Sequence, residues 1–301
     1  MSSNSNRKKK GLPKNEKSNT NKVGVFNKFN GLSKNKTFLG IVTVLVAFVL
    51  IAVVLDFSGL VGNVSFISNG NNNSSSGLPS FIKSNQFCNI SSGNIGTKNQ
   101  VNIYVMSWQG CPIGASESWM WYLYIKQTVP TLSNYAKLPI SYTHQSSPAD
   151  SFYATPGLLF NNYSFTNSNH VVINFHIDYV YPQFLPTPHS QAVVNAGIST
   201  LKSTSGFPTA AINDFVDYQT IVPTSVRGVT EPLANAAGHL TTCIIISGNN
   251  GTFFLEGGLY SFSYSPSIVN ETSSYMLNNS ASFPGIPSGE SYLSNVIDLA
   301  Q

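Results

Sequence analysis

Nineteen residues from Thr37 to Leu55, TFLGIVTVLVAFVLIAVVL, carry no charge. As a helix rising about 1.5 Å per residue they span roughly 28 Å, close to the hydrocarbon core of a bilayer. Ten bases precede this run (Arg7, Lys8, Lys9, Lys10, Lys14, Lys17, Lys22, Lys28, Lys34 and Lys36) against one acid, Glu16. A buried core helix is the alternative reading of such a run. A cleaved signal peptide has a shorter apolar stretch, and no small-x-small site follows Leu55. The Lys10-Gly11 pair stands too far upstream for a pilin-type leader. The pattern predicts an uncleaved anchor at 37–56 whose partner is the lipid bilayer through Thr37–Leu55. Basic flanks stay on the cytoplasmic side, which places the tail 1–36 inside and the cell-surface body outside. A basic tail alone would suit nucleic acid; beside an anchor it is read as topology, and no nucleic-acid partner is expected.

The chain beyond the anchor fits an exported body. Residues 57–80 include SNGNNNSSSG, a flexible spacer that cannot build a core. Residues 81–301 form the expected extracytoplasmic domain. Asn-x-Ser/Thr sequons stand at Asn63, Asn72, Asn73, Asn89, Asn162, Asn250, Asn270 and Asn278, and some of them are expected to carry glycans. Only 9% of the chain is charged, against roughly a quarter in ordinary soluble proteins. A surface that relies so little on ionisation would change little in acid, which suggests an acidic habitat.

Strand and helix patterns alternate after the spacer. QVNIYVMSW (Gln100–Trp108) reads as a buried strand, and GASESWMWYLYIKQTV as a helix ended by Pro130. HVVINFHIDYVYP (His170–Pro182) reads as a second strand, and the stretch from His189 as a helix ending before Ser203. FPTAAINDF reads as a third strand with YQTIVPTSV as a hairpin partner. TEPLANAAGHLTTCIIIS suits a helix capped by Thr230, and SGESYLSNVIDLA a final helix capped by Ser288. The alternation predicts an α/β domain, a mixed sheet flanked by helices.

The junction SWQGCPIG carries the chemistry. A Cys at the first turn of a helix meets unpaired backbone N–H groups and the positive end of the macrodipole, which favour a thiolate. Pro112 suits the next position, where no N–H is needed. Gly110 and Gly114 allow a tight turn, and Trp108 can shield the sulfur. This turn resembles the active-site junction of the thioredoxin-like superfamily, where Cys-Pro-x-Cys is frequent. Gly206-Phe207-Pro208-Thr209 resembles that superfamily's cis-proline segment, with an insertion like that of the DsbA-type oxidoreductases. The resemblance covers about Gln100 to Asp217. With the anchor and spacer, Trp-x-Gly-Cys-Pro-x-Gly-Ala also resembles an uncharacterised family of single-pass proteins from thermoacidophilic archaea. That family strengthens the topology and fold; the thioredoxin-like resemblance implies Cys111 as nucleophile. Trp108, Phe207 and Pro208 would hold a partner chain, with Pro208 cis and facing the sulfur. Gly114 departs from the pattern, because it stands where a dithiol enzyme has its second Cys.

Cys88, Cys111 and Cys243 make an odd number for an oxidising compartment. A Cys88–Cys243 bridge would leave Cys111 as a thiol; a Cys111–Cys243 pair would be a long-range redox couple. Glu117 serves as a base only if its helix points it back toward Cys111. Asp214 and Asp217 read as turn residues. The five His residues have no metal spacing, and there is no phosphate loop or dinucleotide fingerprint, so no metal or cofactor is expected. Two functions remain: a monothiol or distant-cysteine thiol–disulfide oxidoreductase acting on exported protein thiols, or a surface binding protein that keeps the fold without turnover.

Overall fold

The computed structural model describes residues 78–129, 140–146, 154–226, 229–259, 265–283 and 285–301. The basic tail, the run Thr37–Leu55 and the sequons Asn63, Asn72 and Asn73 lie outside them. Among the described residues no helix is long and apolar enough to cross a membrane.

Two short strands, β1 (Ile82–Lys83) and β2 (Cys88–Ser91), lead into β3 (Val101–Ser107). All seven residues of β3 are buried, as expected for a β-branched run at the centre of a covered sheet. The chain passes through Cys111 into α1 (Pro112–Thr128), then the pair β4 (Ile140–Gln145) and β5 (Pro156–Phe160). β6 (Tyr163–Thr166) and β7 (Val172–Tyr179) return to the main sheet. Next come α2 (Gln191–Ser203), α3 (Thr209–Thr220), β8 (Thr224–Val226), β9 (Val229–Glu231) and α4 (Leu233–Ala237). The hairpin of β10 (Cys243–Gly248) and β11 (Gly251–Glu256) is next, and α5 (Ser265–Ile268), α6 (Ser273–Asn279) and α7 (Gly285–Ala300) end the chain.

The main sheet has six strands in the order β2-β11-β10-β3-β7-β6. β3 runs parallel to β7 and antiparallel to β10, and the outer pairs are antiparallel. Alternation along each strand divides its side chains between two cores. Val101, Ile103, Val105, Ile244, Ile246 and Leu255 join α1 and α7 through Trp119, Leu293, Val296 and Ile297. Tyr104, Met106, Cys243, Ile245 and Phe254 join α2 and α3 through Val194, Leu201, Phe215 and Tyr218. The predicted layering, a mixed sheet between helices, is therefore present. α1 is buried from Ala115 to Ile125 because the sheet, β5 and α7 all pack against it.

Three predicted elements differ, the first being YQTIVPTSV, whose Tyr218–Thr220 end α3 and whose only strand is β8, Thr224–Val226. FPTAAINDF is not a strand: Pro208 is the N-cap of α3, and Ala211, Ile212, Phe215 and Tyr218 make one buried helical stripe. The period becomes visible only when the segment is read on through Tyr218. Asp214 and Asp217 accordingly lie on this helix rather than in a turn. The third difference is in TEPLANAAGHLTTCIIIS, whose helix stops at Ala237. Gly238 takes the left-handed conformation (φ 69°), and a Cβ there would lie 2.9 Å from His189 Cβ. Beyond it the β-branched run becomes β10, a central strand.

Candidate functional site

β3 delivers Ser107 to the edge of the sheet, and Trp108–Gly110 turn the chain so that Cys111 becomes the N-cap of α1. The Cys111 N–H donates to Trp108 O (3.0 Å), and Cys111 O accepts from Ala115 N (2.8 Å). Pro112 occupies the first turn as anticipated. The sulfur does the work of a capping side chain, accepting from the Gly114 N–H at 3.4 Å.

A second contact comes from far along the chain. Thr242, the residue before β10, places Oγ1 3.0 Å from Cys111 Sγ and 2.9 Å from Ser107 Oγ. Either partner can donate in each bond. The antiparallel pairing of Cys243 with Met106 sets this register. Sequence reasoning missed Thr242, because a lone threonine 131 residues from the sulfur has no local signature.

Gly114 now has a reason. A Cβ built there would overlap Ser107 Oγ and lie 3.4 Å from Thr242 Oγ1. The hydroxyls occupy the space that a second cysteine would need. Gly110 is equally constrained, since a Cβ would overlap the carbonyl oxygen of Gln183. The segment after β7 thus closes over the turn, and Gln109 N donates to Tyr181 O at 3.1 Å. Cys111 is 4% exposed and Trp108 is 3% exposed. Trp108 meets His239 edge-on at 6.0 Å.

Glu117 does point inward. It is 1% exposed, and Oε1 accepts from Leu259 N at 2.5 Å. Burial pushes its carboxyl up to about 8, the Leu259 bond opposing the shift.

Phe207 and Pro208 do not take the predicted geometry. The Phe207–Pro208 bond is trans; among the described residues the cis peptide is Thr187–Pro188. Phe207 packs edge-on against Tyr104 (5.5 Å) and near Phe215 (5.6 Å). Tyr104 alternates with Val105 and Ser107, so Phe207 belongs to the sheet face opposite the Ser107 hydroxyl. Thr242, not Pro208, opens the strand beside the sulfur.

All three cysteines are buried thiols. β11 lies between the strands of Cys88 and Cys243, whose partners on it are Phe254 and Glu256. Two strand spacings separate these cysteines by about 10 Å, beyond the roughly 7 Å Cα separation a disulfide spans. The Cys88–Cys243 alternative is therefore not formed, and both are buried core thiols. Burial raises the pKa of both, Cys243 well above its ordinary value, with Glu256 adding to the effect. Gln219 Nε2 lies 2.7 Å from Cys243 Sγ and 3.1 Å from Glu256 Oε1.

Among the described residues no group of three or more His, Cys, Asp or Glu could hold a metal. Asn89 is half-buried on β2, while Asn162, Asn250, Asn270 and Asn278 are exposed.

A family of proteins described as "Domain of unknown function (DUF929)" matches residues 86–298, most of the chain. The chain belongs to the DUF929 family. The match spans β3, the Cys111 turn, Thr242 and nearly all of α7, so the site lies wholly within the DUF929 domain. No curated protein and no solved structure matches this DUF929 chain.

Proposed function

We propose that this DUF929 protein is a membrane-anchored, thioredoxin-like thiol protein of the cell surface, with Cys111 as its reacting group. The supporting observation is the sulfur at the N-cap of α1, within 3.4 Å of the Gly114 N–H and 3.0 Å of the Thr242 hydroxyl. Both are donors that a thiolate accepts from. The strand order supports the fold reading: β3, which leads into Cys111, is flanked by one parallel and one antiparallel neighbour, and α7 packs on the sheet.

Gly114 restricts the chemistry to a monothiol cycle. The Cys111 thiolate attacks one sulfur of an exported protein's disulfide. A Cys111–protein disulfide forms, and the second sulfur leaves with the electron pair and takes up a proton. Return attack by another thiol of the same partner releases Cys111 and leaves a rearranged disulfide, with no net oxidant or reductant. This is isomerisation. The test is incubation of the full chain with a disulfide-containing peptide at pH 8. A peptide adduct at Cys111, lost in Cys111→Ser, is expected; no adduct at Cys111 removes the activity.

A second reading, a surface binding protein without turnover, is favoured by the 4% exposure of Cys111 beneath the Tyr181–Gln183 segment. The bilayer anchoring rests on the charge-free run and its ten preceding bases. External protease on intact cells should remove the body and spare an amino-terminal tag; loss of the tag overturns that topology.

A further inference from the structure

Of five buried polar side-chain atoms among the described residues that have no hydrogen-bond partner, three belong to side chains around one space: Trp108 Nε1, Trp121 Nε1 and Glu117 Oε2. That space is a cavity of about 20 Å³, which Ser107 and Gly114 also line. One water needs roughly 10–15 Å³ and two to four polar partners. The two indole N–H groups are donors only, while a carboxyl oxygen and the Ser107 hydroxyl can both accept. Together they offer a single water four partners, and the water accepts from an indole N–H or from the Ser107 hydroxyl according to the direction of the hydroxyl chain.

Ser107 Oγ is also the inner end of the hydroxyl chain that reaches the sulfur, through Thr242 at 2.9 Å and then 3.0 Å. Each member of that chain can donate or accept, so its direction can reverse without leaving a member unpaired. We infer that a water in this cavity joins Glu117 to the Ser107–Thr242–Cys111 chain, so that Glu117 and Cys111 hold one proton between them. This rests on Cys111 being the reacting thiol.

The transfer balances. The Cys111 S–H bond breaks and the sulfur keeps the electron pair. The proton passes to Thr242 Oγ1, Thr242's to Ser107 Oγ, Ser107's to the water, and the water's to Glu117 Oε2. The thiol then becomes a thiolate as the carboxylate becomes a carboxylic acid, and no charge enters or leaves the core. Glu117 here is a positioning residue for protons; the reacting atom is the sulfur. Burial raises the Glu117 carboxyl to about 8, far above the ordinary carboxylate range.

Other titratable groups surround the pair. Tyr179 on β7 lines the cavity, and Cys243 on β10 feels both Glu117 and Glu256. Glu256 on β11 is itself raised to about 8. Glu290 lies on α7, which packs against α1, and His239 touches the edge of Trp108. Glu256→Gln is therefore the control for a general electrostatic effect.

The test is the pH dependence of iodoacetamide alkylation at Cys111, from pH 5 to 10, in the full-length protein in detergent, read by mass of the Cys111 peptide. The wild type is expected to show two steps separated by at least about one pH unit, a tenfold span in proton affinity. Glu117→Gln should show one step, at lower pH than the second wild-type step, and Glu256→Gln should keep both. The reciprocal measurement needs no variant that must fold in a new way. Alkylating Cys111 should move the loss of the buried carboxylic-acid infrared band to lower pH. Identical alkylation profiles in wild type and Glu117→Gln, or a band indifferent to alkylation, would overturn the shared proton while leaving Cys111 reactive. A Cys111 that is not alkylated at any pH would instead remove the thiol reading, and this inference with it.

Discussion

At the scale of residues, the site is decided by one absent side chain. Gly114 leaves room for the Ser107 hydroxyl, and that hydroxyl anchors Thr242 beside the sulfur. Gly114→Ala should destabilise the protein by about 1–3 kcal/mol through overpacking, measured by urea unfolding of the full chain in detergent. Ser107→Gly combined with Gly114→Ala should recover most of that loss; no recovery would show that the hydroxyl is not the obstacle. Cys111 and Pro112 could be placed from sequence because helix-start chemistry is local. Glu117 was legible only as a conditional, since its helix had to be oriented first. Thr242 was hidden because register across two strands brings it to the sulfur. Pro208 misled for the converse reason: Gly-Phe-Pro-Thr followed by apolar residues opens a strand or a helix equally well over a few residues.

At the scale of elements, β10 carries more than its short sequence suggests. It pairs with β3 on one side and β11 on the other, and it sets the register of Thr242. Ile245→Ala should cost about 2–5 kcal/mol, since Ile245 is fully buried between Tyr104 and Phe254 in register. A loss below about 1 kcal/mol would contradict a central position. Gly238 is the stop signal that separates α4 from this strand. Gly238→Ala forces a left-handed alanine against His189 and should cost upwards of 1 kcal/mol in the same assay. Where helix and strand signals were long, as in β3, β7, α1 and α7, the sequence showed the element, although α7 begins at Gly285 and Ser288 lies inside it rather than capping it. Where a stop signal lay inside an apolar stretch, it did not.

At the scale of the whole molecule, burial raises several of the described carboxyls. Burial holds Glu117 and Glu256 up to about 8 and Asp214 up to about 6, the latter helped by Asp217. Glu290 and Asp178 are raised as well. Each raised carboxyl binds its proton more tightly folded than unfolded. Its stabilising contribution is complete below the unfolded pKa near 4.5 and is lost as pH climbs through the folded value near 8. The midpoint of thermal unfolding should therefore fall between pH 4.5 and pH 8. Glu256→Gln should flatten that slope, because its amide does not titrate. A midpoint that rises over the same interval would contradict the burial of these groups. The sparse charge of the sequence suggested tolerance of acid; the buried, neutral carboxyls supply a mechanism for it.

The central claim is that Cys111 alone among three cysteines is chemically poised. The direct measurement is the alkylation rate of each cysteine in the native full-length protein at pH 8, resolved by peptide mass. Cys88 and Cys243 are core thiols raised by burial, while Cys111 caps α1 beside two hydrogen-bond donors. Cys111 is expected to react at least about tenfold faster than either, with the difference vanishing in denaturant. Equal protection of all three, or faster reaction at Cys88 or Cys243, would contradict that claim.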